Sequence, residues 1–346
     1  MNVLVSGYYG LGNIGDEAVL QAIVKGLTNA KITVLSANPE LTIRQHNIRA
    51  VNRNNPFSLL FELLRTNIFI SGGGTLFQNI TSSRSLIYYL CQIILAKLLF
   101  KKVIVFAQGF GPVKGREWQR LISLILNKVN LITLRDKDSF EELQKLGINK
   151  PKIEVTADPT FTLPLPDKAI GRKILKIEGV PEGKKLVGIV VRNLKGKPFD
   201  QQLAEIINWL KQTYDYLPVF LLFKSPADME PTVHVVKHLI TDSKVVFRES
   251  TPDEMLAIIA NLDLLIGMRL HSLIFAAMNS IPMLGLSYDP KVESFMKEID
   301  QPYIKLDEDF DIEHVKTLVK TALGKKSTNL TSLQQRAKRN FEVINA

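Results

Sequence analysis

The sequence predicts an α/β protein built from two Rossmann-like domains that face each other across a cleft. Three observations carry this expectation. Short β-branched runs alternate with helix-length segments, the pattern of parallel βαβ units. Glycine-rich loops follow several of those runs directly, where open α/β sheets bind their ligands. The chain has 346 residues and is 46% hydrophobic, more than one typical domain of roughly 100–200 residues needs and enough for two cores.

In the first half, residues 2–6, 32–35, 67–70, 103–107 and 131–134 read as strands, each followed by a helix-length stretch. Val103-Ile-Val-Phe-Ala is apolar without alternation, as expected of a strand covered on both faces. Residues 86–100 form the most apolar stretch, interrupted by Gln92 and Lys97. That is short of the roughly 18–20 apolar residues that span a bilayer, so it reads as a core helix. After residues 153–155 and the segment Ala157-Asp-Pro-Thr-Phe, residues 163–167 carry two prolines and no periodicity, which marks the expected linker. A second series follows, with strands at 186–191, 218–223, 244–247, 262–266 and 282–286 and helices at 200–213 and 252–260. Domains of 1–165 and 166–329 result. Residues 330–346 remain as a polar helix that packs back on the first domain or meets an anionic surface.

Composition narrows the function. Lys and Arg number 44 against 34 Asp and Glu, a net charge of +10 that favours anionic partners. Basic residues are spread along the chain with no aromatic-interleaved stripe, which argues against a nucleic-acid binder. Cys91 is the only cysteine, so no internal disulfide forms and no cysteine-rich zinc site is expected. The start, Met1-Asn-Val-Leu-Val-Ser, reads as a buried strand rather than a secretory leader. A reduced, cytoplasmic protein is the expectation.

The first loop after a strand runs Gly7-Tyr-Tyr-Gly-Leu-Gly-Asn-Ile-Gly-Asp-Glu17 and leads into an apolar helix from Ala18. Gly10, Gly12 and Gly15 match the spacing of a dinucleotide fingerprint. Asp16 and Glu17, however, would set two carboxylates where that fingerprint receives a pyrophosphate, and would repel it. Asp16 reads two ways from spacing alone: as the cap of the helix, or as a carboxylate able to take a proton from a substrate hydroxyl. Gly12 and Asn13 belong to the same substrate loop.

The second loop is Ser71-Gly-Gly-Gly-Thr-Leu-Phe-Gln78. Gly73 and Gly74 either expose backbone N–H groups to an anion or form a tight turn needing positive φ. Gln78 follows on the same loop. Gln108-Gly-Phe-Gly-Pro112 is a third glycine loop on the same edge. In Arg135-Asp-Lys-Asp-Ser139, Arg135 either grips an anion bidentately or pairs at the surface with Asp136 or Asp138, and Ser139 is placed to open a helix.

The second half repeats the arrangement. Arg192 ends one strand run, and Gly267-Met-Arg-Leu-His-Ser272 follows another. Arg269 and His271, two residues apart before an apolar helix, offer a guanidinium, an imidazole and free backbone donors to one anionic ligand. His46, His234, His238 and His314 lie in polar or helical contexts and read as structural or solvated. Lys291, in Ser287-Tyr-Asp-Pro-Lys-Val, is a phosphate contact or a solvated lysine.

Taken in order, GYYGLGNIGDEA, SGGGTLFQ, QGFGP, RDKDS, ADPTF, GMRLHSLIFA and SYDPKV resemble the polysaccharide pyruvyl transferase family, in particular the bacterial cell-wall enzymes. The resemblance spans nearly the whole chain. It implies a B-type glycosyltransferase-like fold and transfer of pyruvate from phosphoenolpyruvate, with no metal and no nicotinamide or other cofactor. The first domain would take the acceptor, an N-acetylhexosamine of a lipid-linked precursor, and the second the donor. Two hydroxyls of the sugar would end up bridged by a cyclic ketal, with phosphate released. Carried over by motif, Asp16 and His271 are the acid and base in either order, and Arg135, Arg269 and Ser272 contact the donor. Arg192 and Lys291 join them on weaker motifs. The enzyme would work in the cytoplasm and touch the anionic inner leaflet peripherally, through pairs such as Lys101-Lys102 or Lys325-Lys326, which otherwise are ordinary solvated charge. Two other readings are a nucleotide-sugar-dependent glycosyltransferase and a glycan-binding relative without catalysis.

Overall fold

Valine, isoleucine and leucine fill both series of strands, and every strand pairing in the computed structural model is parallel. The structure describes residues 1–80, 82–194, 199–306 and 311–345. The chain divides into one unit of Met1–Leu163 with the C-terminal segment from Thr331, and another of Pro164–Leu330.

The first unit runs β1 (Asn2–Ser6), α1 (Ile14–Gly26), β2 (Lys31–Ser36), α2 (Pro39–His46), β3 (Arg49–Asn52), α3 (Pro56–Arg65), β4 (Ile68–Ser71) and α4 (Ser83–Leu98). It continues with β5 (Lys102–Gln108), α5 (Arg116–Leu126), β6 (Leu131–Leu134), α6 (Lys137–Lys145), β7 (Lys152–Val155) and a 3₁₀ turn at Pro159–Thr162. The seven strands lie in the order β3-β2-β1-β4-β5-β6-β7. Chain progression reverses between β1 and β4, so the loops after these two strands flank the switch point where such sheets bind ligands.

Alternate strand residues serve two cores. Leu4, Phe69, Val103, Val105 and Ile132 face helices α3 to α5. Val3, Val5, Ile70, Ile104 and Phe106 face α1 and the C-terminal helix. That last helix, α14 (Leu330–Asn345), carries a polar sequence yet packs on the first unit. Phe341 lies 5.3 Å from the Phe106 ring, and buried Asn340 donates to the Ala157 carbonyl at 2.9 Å and accepts from Thr156 at 2.7 Å.

The second unit runs α7 (Lys168–Ile177), β8 (Lys185–Val190), α8 (Asp200–Tyr214), β9 (Tyr216–Leu221), α9 (Met229–Val236), β10 (Lys244–Val246) and α10 (Pro252–Ile259). It ends with β11 (Leu264–Gly267), α11 (Leu270–Met278), β12 (Met283–Ser287), α12 (Pro290–Glu298), β13 (Tyr303–Lys305) and α13 (Ile312–Gly324). Its order, β10-β9-β8-β11-β12-β13, repeats the first arrangement, with the switch between β8 and β11.

Two strands escape the sequence reading. β3 and β13 are sheet edges of four and three residues, too short and too polar to show a period. Helix α1 begins at Ile14 rather than Ala18, because Asn13 has extended backbone and its side chain accepts from Gly15 N–H. The apolar stretch at 86–100 is a core helix on one face only. Leu86, Leu90 and Ile93 are buried, whereas Ile87, Ile94 and Leu98 are exposed.

Candidate functional site

Both sheets present their loops at the carboxyl ends of the strands, and each set forms its own edge. On the first unit, the loop after β1 folds back on the helix it precedes. The Gly10 N–H donates to Glu17 Oε1 at 2.7 Å, and the other oxygen of Glu17 stands 3.4 Å from Nε2 of buried His46. Gly10 adopts φ +73, and a β-carbon on it would stand 2.2 Å from Ser36 Oγ, so no other residue fits that turn.

Asp16 is not the cap that its spacing permits. Asn13 holds that position and also donates through Nδ2 to Asp16 Oδ2. Asp16 therefore sits in the first turn of α1, half-buried, its carboxylate oriented by Asn13. Its Oδ1 lies 3.1 Å from where a β-carbon on Gly74 would be, which brings the first and second loops together at the switch point. Gly12, at φ +69, is exposed on the rim.

The triple glycine is required mainly by close packing. Gly74 alone of the three has positive φ. A β-carbon on Gly73 would reach Val19 Cγ1 at 2.6 Å, and one on Gly72 would strike the Tyr9 hydroxyl at 2.3 Å. Tyr9 is fully buried, and burial first, then the Asp16 and Glu17 carboxylates, push its phenol well above its ordinary value. Tyr9 is accordingly a neutral wall behind Asp16. Next to it, the Arg53 guanidinium lies 4.7 Å over the Tyr88 ring and donates to Tyr89 Oη at 3.3 Å and to the Gly7 carbonyl at 3.2 Å.

Gln108 is fully buried and is a brace. It donates to the Gly72 carbonyl at 2.6 Å and accepts from Leu76 N–H at 3.2 Å, fixing the second loop on the end of β5. Gln78 is half-buried at the far end of that loop and packs beside Gly111. Arg135 lies beneath the third loop, pressed so close to Gly109 that a β-carbon there would meet Nη2 at 2.4 Å. Its side chain is buried and faces Asp136 at 3.3 Å, Asp158 at 3.8 Å and Thr75 Oγ1 at 3.2 Å. The pairing with Asp136 expected at the surface thus occurs in the interior. Ser139 does not open α6. Asp136 caps that helix by accepting from Ser139 N–H at 2.7 Å, and the Ser139 hydroxyl accepts from Phe110 N–H at 2.8 Å.

On the second unit, Arg269 and His271 stand at the start of α11, directly after β11. Arg269 is the N-cap residue and His271 lies in the first turn, half-buried. Both nitrogens of one edge of the Arg269 guanidinium, Nε at 2.7 Å and Nη2, donate to Asp228. Asp228 is 1% exposed and also accepts from the Phe223 and Lys224 N–H groups at 3.1 and 2.8 Å. Ser272 turns its hydroxyl back to the Arg269 carbonyl at 2.6 Å, so that oxygen braces the turn. Lys291 stands 2.9 Å from Asp289, which caps α12.

Arg192 is placed differently. It follows β8, whose pairing with β11 sets it beside the Arg269 turn. Its guanidinium lies 4.3 Å over the Tyr288 ring, and its buried Nε has no hydrogen-bond acceptor. Among the described residues no carboxylate pairs with it. The edge therefore offers one guanidinium with only an aromatic face against it, next to an imidazole and a helix N-terminus. That combination has the charge and the backbone donors that a small, multiply charged anion requires. Among the described residues no three His, Cys, Asp or Glu side chains gather as a metal site.

Sequence reasoning passed over Asp228, Asp158, Tyr9, Arg53 and the Glu17–His46 pair. Asp228 precedes α9 in an unremarkable turn, and only its fold contact with Arg269, 41 residues away, reveals it.

Comparison with known proteins bears on the fold. The solved UDP-GlcNAc 2-epimerase of Methanocaldococcus jannaschii is similar over 99% of both chains with a TM-score of 0.71 at 13% identity. The Neisseria meningitidis UDP-GlcNAc 2-epimerase bound to UDP-GlcNAc gives 0.66 at 12% identity over the full length of both. Anabaena Alr3699/HepE, solved with UDP and glucose, gives 0.61 at 10% identity over 99% of this chain and 94% of its own. The fold is the two-sheet α/β class of B-type glycosyltransferases and their relatives. In sequence, the amylovoran biosynthesis protein AmsJ of Erwinia amylovora is 23% identical, covering 89% of this chain and 88% of its own. The family model for polysaccharide pyruvyl transferase matches residues 13–290, from the cap of α1 to the start of α12. The chain belongs to the polysaccharide pyruvyl transferase family.

Proposed function

We propose that this glycan-modifying transferase moves pyruvate from phosphoenolpyruvate onto two hydroxyls of one sugar, an N-acetylhexosamine of a lipid-linked precursor. A proton goes to the methylene carbon of the enolpyruvyl group, and the adjacent carbon becomes electrophilic. A sugar hydroxyl adds there and gives up its proton. The carbon–oxygen bond to phosphate breaks, the second hydroxyl closes the ring and loses its proton to the departing phosphate, and the products are a cyclic ketal and inorganic phosphate.

In this reading the second unit takes the donor. Arg192 supplies the uncompensated cation, Arg269 with its Asp228 partner shapes the turn, and His271 exchanges the proton. The first unit takes the acceptor, with Asp16 as the carboxylate that Asn13 orients. Arg135, Gln108 and Ser272 hold the loops in place through the contacts above. Lys291 lends positive charge from beyond Asp289.

The observation that supports this reading best is Arg192, a cation with a ring behind it and no carboxylate partner among the described residues, at the end of the strand that pairs with β11, which leads into the His271 turn. The test is incubation with phosphoenolpyruvate labelled in its pyruvyl carbons and a lipid-linked N-acetylhexosamine. Label in the lipid fraction with stoichiometric phosphate release is the expected result. Transfer of a hexose from a nucleotide sugar, with no pyruvyl transfer, would overturn the proposal.

A further inference from the structure

Two neighbouring helices of the first unit turn an apolar face outward. On α3, Phe57, Leu60, Phe61 and Leu64 recur at i, i+3, i+4 and i+7, and all are exposed, Phe57 to 80%. Leu63 on the opposite side of the same helix is fully buried. On α4, Ile87, Cys91, Ile94 and Leu98 recur at i, i+4, i+7 and i+11 and are likewise exposed, and Phe100 just beyond it is 96% exposed. These are two regular stripes at helical period rather than scattered single residues. Both helices bury their other faces in the same core. The Lys101 ammonium, donating to the Leu64 carbonyl at 3.2 Å, ties their ends together.

Along the two helices and the loop between them the exposed charge has one sign. Between residues 56 and 102 the only acid is Glu62, and it is buried against Arg49 at 2.6 Å. Arg65, Arg84, Lys97, Lys101 and Lys102 lie in the same span. None of the five forms an ion pair among the described residues. Arg65 instead lies 3.7 Å over the Phe61 ring, Lys97 donates to Asn130 Oδ1 at 3.1 Å, and Lys102 turns away from this face to the Ile344 carbonyl at 3.4 Å.

We propose that the α3–α4 face docks on an anionic phospholipid bilayer, with the two stripes in the interfacial layer and the lysines and arginines at the level of the phosphates. Apolar side chains on one helix face with cations around them are the composition that holds amphipathic helices at such a surface. A second copy of the chain suits this face poorly, because a two-fold contact sets its cations against their own images. Both helices begin where β3 and β4 end, so the stripes start at the edge that carries the glycine loops. The inference rests on the lipid-linked acceptor of the proposed function for its purpose, and on nothing in the pyruvyl chemistry.

The test is co-sedimentation of the full chain with vesicles of phosphatidylglycerol and phosphatidylcholine, against vesicles of phosphatidylcholine alone. The wild type is expected to bind the anionic vesicles and to bind the neutral ones roughly tenfold less. Two variants, Phe57→Ser/Phe61→Ser/Leu64→Ser and Lys97→Glu/Lys101→Glu, should each lower binding to anionic vesicles by about tenfold or more. Their circular dichroism spectra and their transfer to a water-soluble acceptor should stay at wild-type values. Wild-type protein left in the supernatant, or variants that bind as the wild type does, overturn the proposal. So does a wild-type dimer in analytical ultracentrifugation that the Phe57 variant dissociates. Vesicle binding without pyruvyl transfer would instead retain this surface and sink the proposed reaction.

Discussion

Asp228→Ala tests how the second unit holds its arginine. The change removes a buried carboxylate that receives a two-pronged contact from Arg269 and accepts from two backbone N–H groups. Breaking a buried ion pair on one side costs about 3–5 kcal/mol, because the remaining charge has no counter-charge. Arg269 keeps some access to water, at 15% side-chain exposure, which places the ionic part at the low end of that range. Each orphaned backbone donor adds about 1 kcal/mol or more if water does not reach it. A loss of about 5 kcal/mol follows.

The assay is urea unfolding of the second unit, read through the fluorescence of Trp209, with Trp118 of the first unit replaced by Phe. Asp228→Asn keeps an oxygen for the backbone donors and loses the charge, so it should fall between wild type and Asp228→Ala. Adding Arg269→Met to Asp228→Ala should restore part of the loss, since the stranded cation is gone. A single Asp228→Ala variant within about 0.5 kcal/mol of wild type, the range of ordinary surface changes, would refute the reasoning.

Three further outcomes are expected. Arg192→Ala should raise the KM for phosphoenolpyruvate about 10- to 100-fold, the loss of one or two charge-assisted contacts, and steady-state kinetics would show it; an unchanged KM removes Arg192 from the donor site. Asp16→Asn should lower kcat by about 10²- to 10⁴-fold, as removal of a general acid or base does, with the circular dichroism spectrum intact. Burial pushes the Tyr89 phenol from 10.0 up to about 12, against the pull of Arg53, so its contribution to stability is fully present below pH 10 and is lost as pH rises through about 12. The sign follows because the unfolded chain sheds that proton first, and two units correspond to about 2–3 kcal/mol. Alkaline unfolding should therefore be shallower over that window in Tyr89→Phe.

Much of the fold is legible because parallel strands covered on both faces must be apolar throughout. The runs at 2–6 and 131–134 coincide with β1 and β6, and most of the others fall within two residues of the observed strands. β3 and β13 were invisible because an edge strand buries one side and needs few apolar residues. The loops at the carboxyl edges of the sheets were legible too, since glycine turns follow the strands there. What each residue does there was less so. By spacing, Asp16 and Ser139 both suit a helix opening, yet Asn13 and Asp136 hold those places. A cap is decided by the backbone angles of one residue, and neighbouring polar residues compete for it. Arg135 shows the larger limit. Its cation is plain in the sequence, while one of its carboxylates, Asp158, lies 23 positions later and becomes a neighbour only when β6 and β7 pair.

These pairings change how charge at the second unit's edge is counted. From sequence, Arg192, Arg269 and Lys291 are three equal cations. In the fold, Arg269 faces Asp228 and Lys291 faces Asp289, and only Arg192 stands against a neutral ring. An incoming dianion gains little from a cation whose charge is already matched, because attraction to the pair falls off faster than attraction to a single charge. It gains most from Arg192, whose guanidinium is kept in place by stacking rather than by an acid it would have to be pulled from. Asp228 then serves a different end. By gripping the Nε side of Arg269 it fixes the turn that carries His271, and in the proposed reading it leaves the remaining guanidinium nitrogen for a donor whose charge Arg192 would meet. Arg192, rather than the more conspicuous Arg269, is thus the cation on which affinity for an anionic donor should depend.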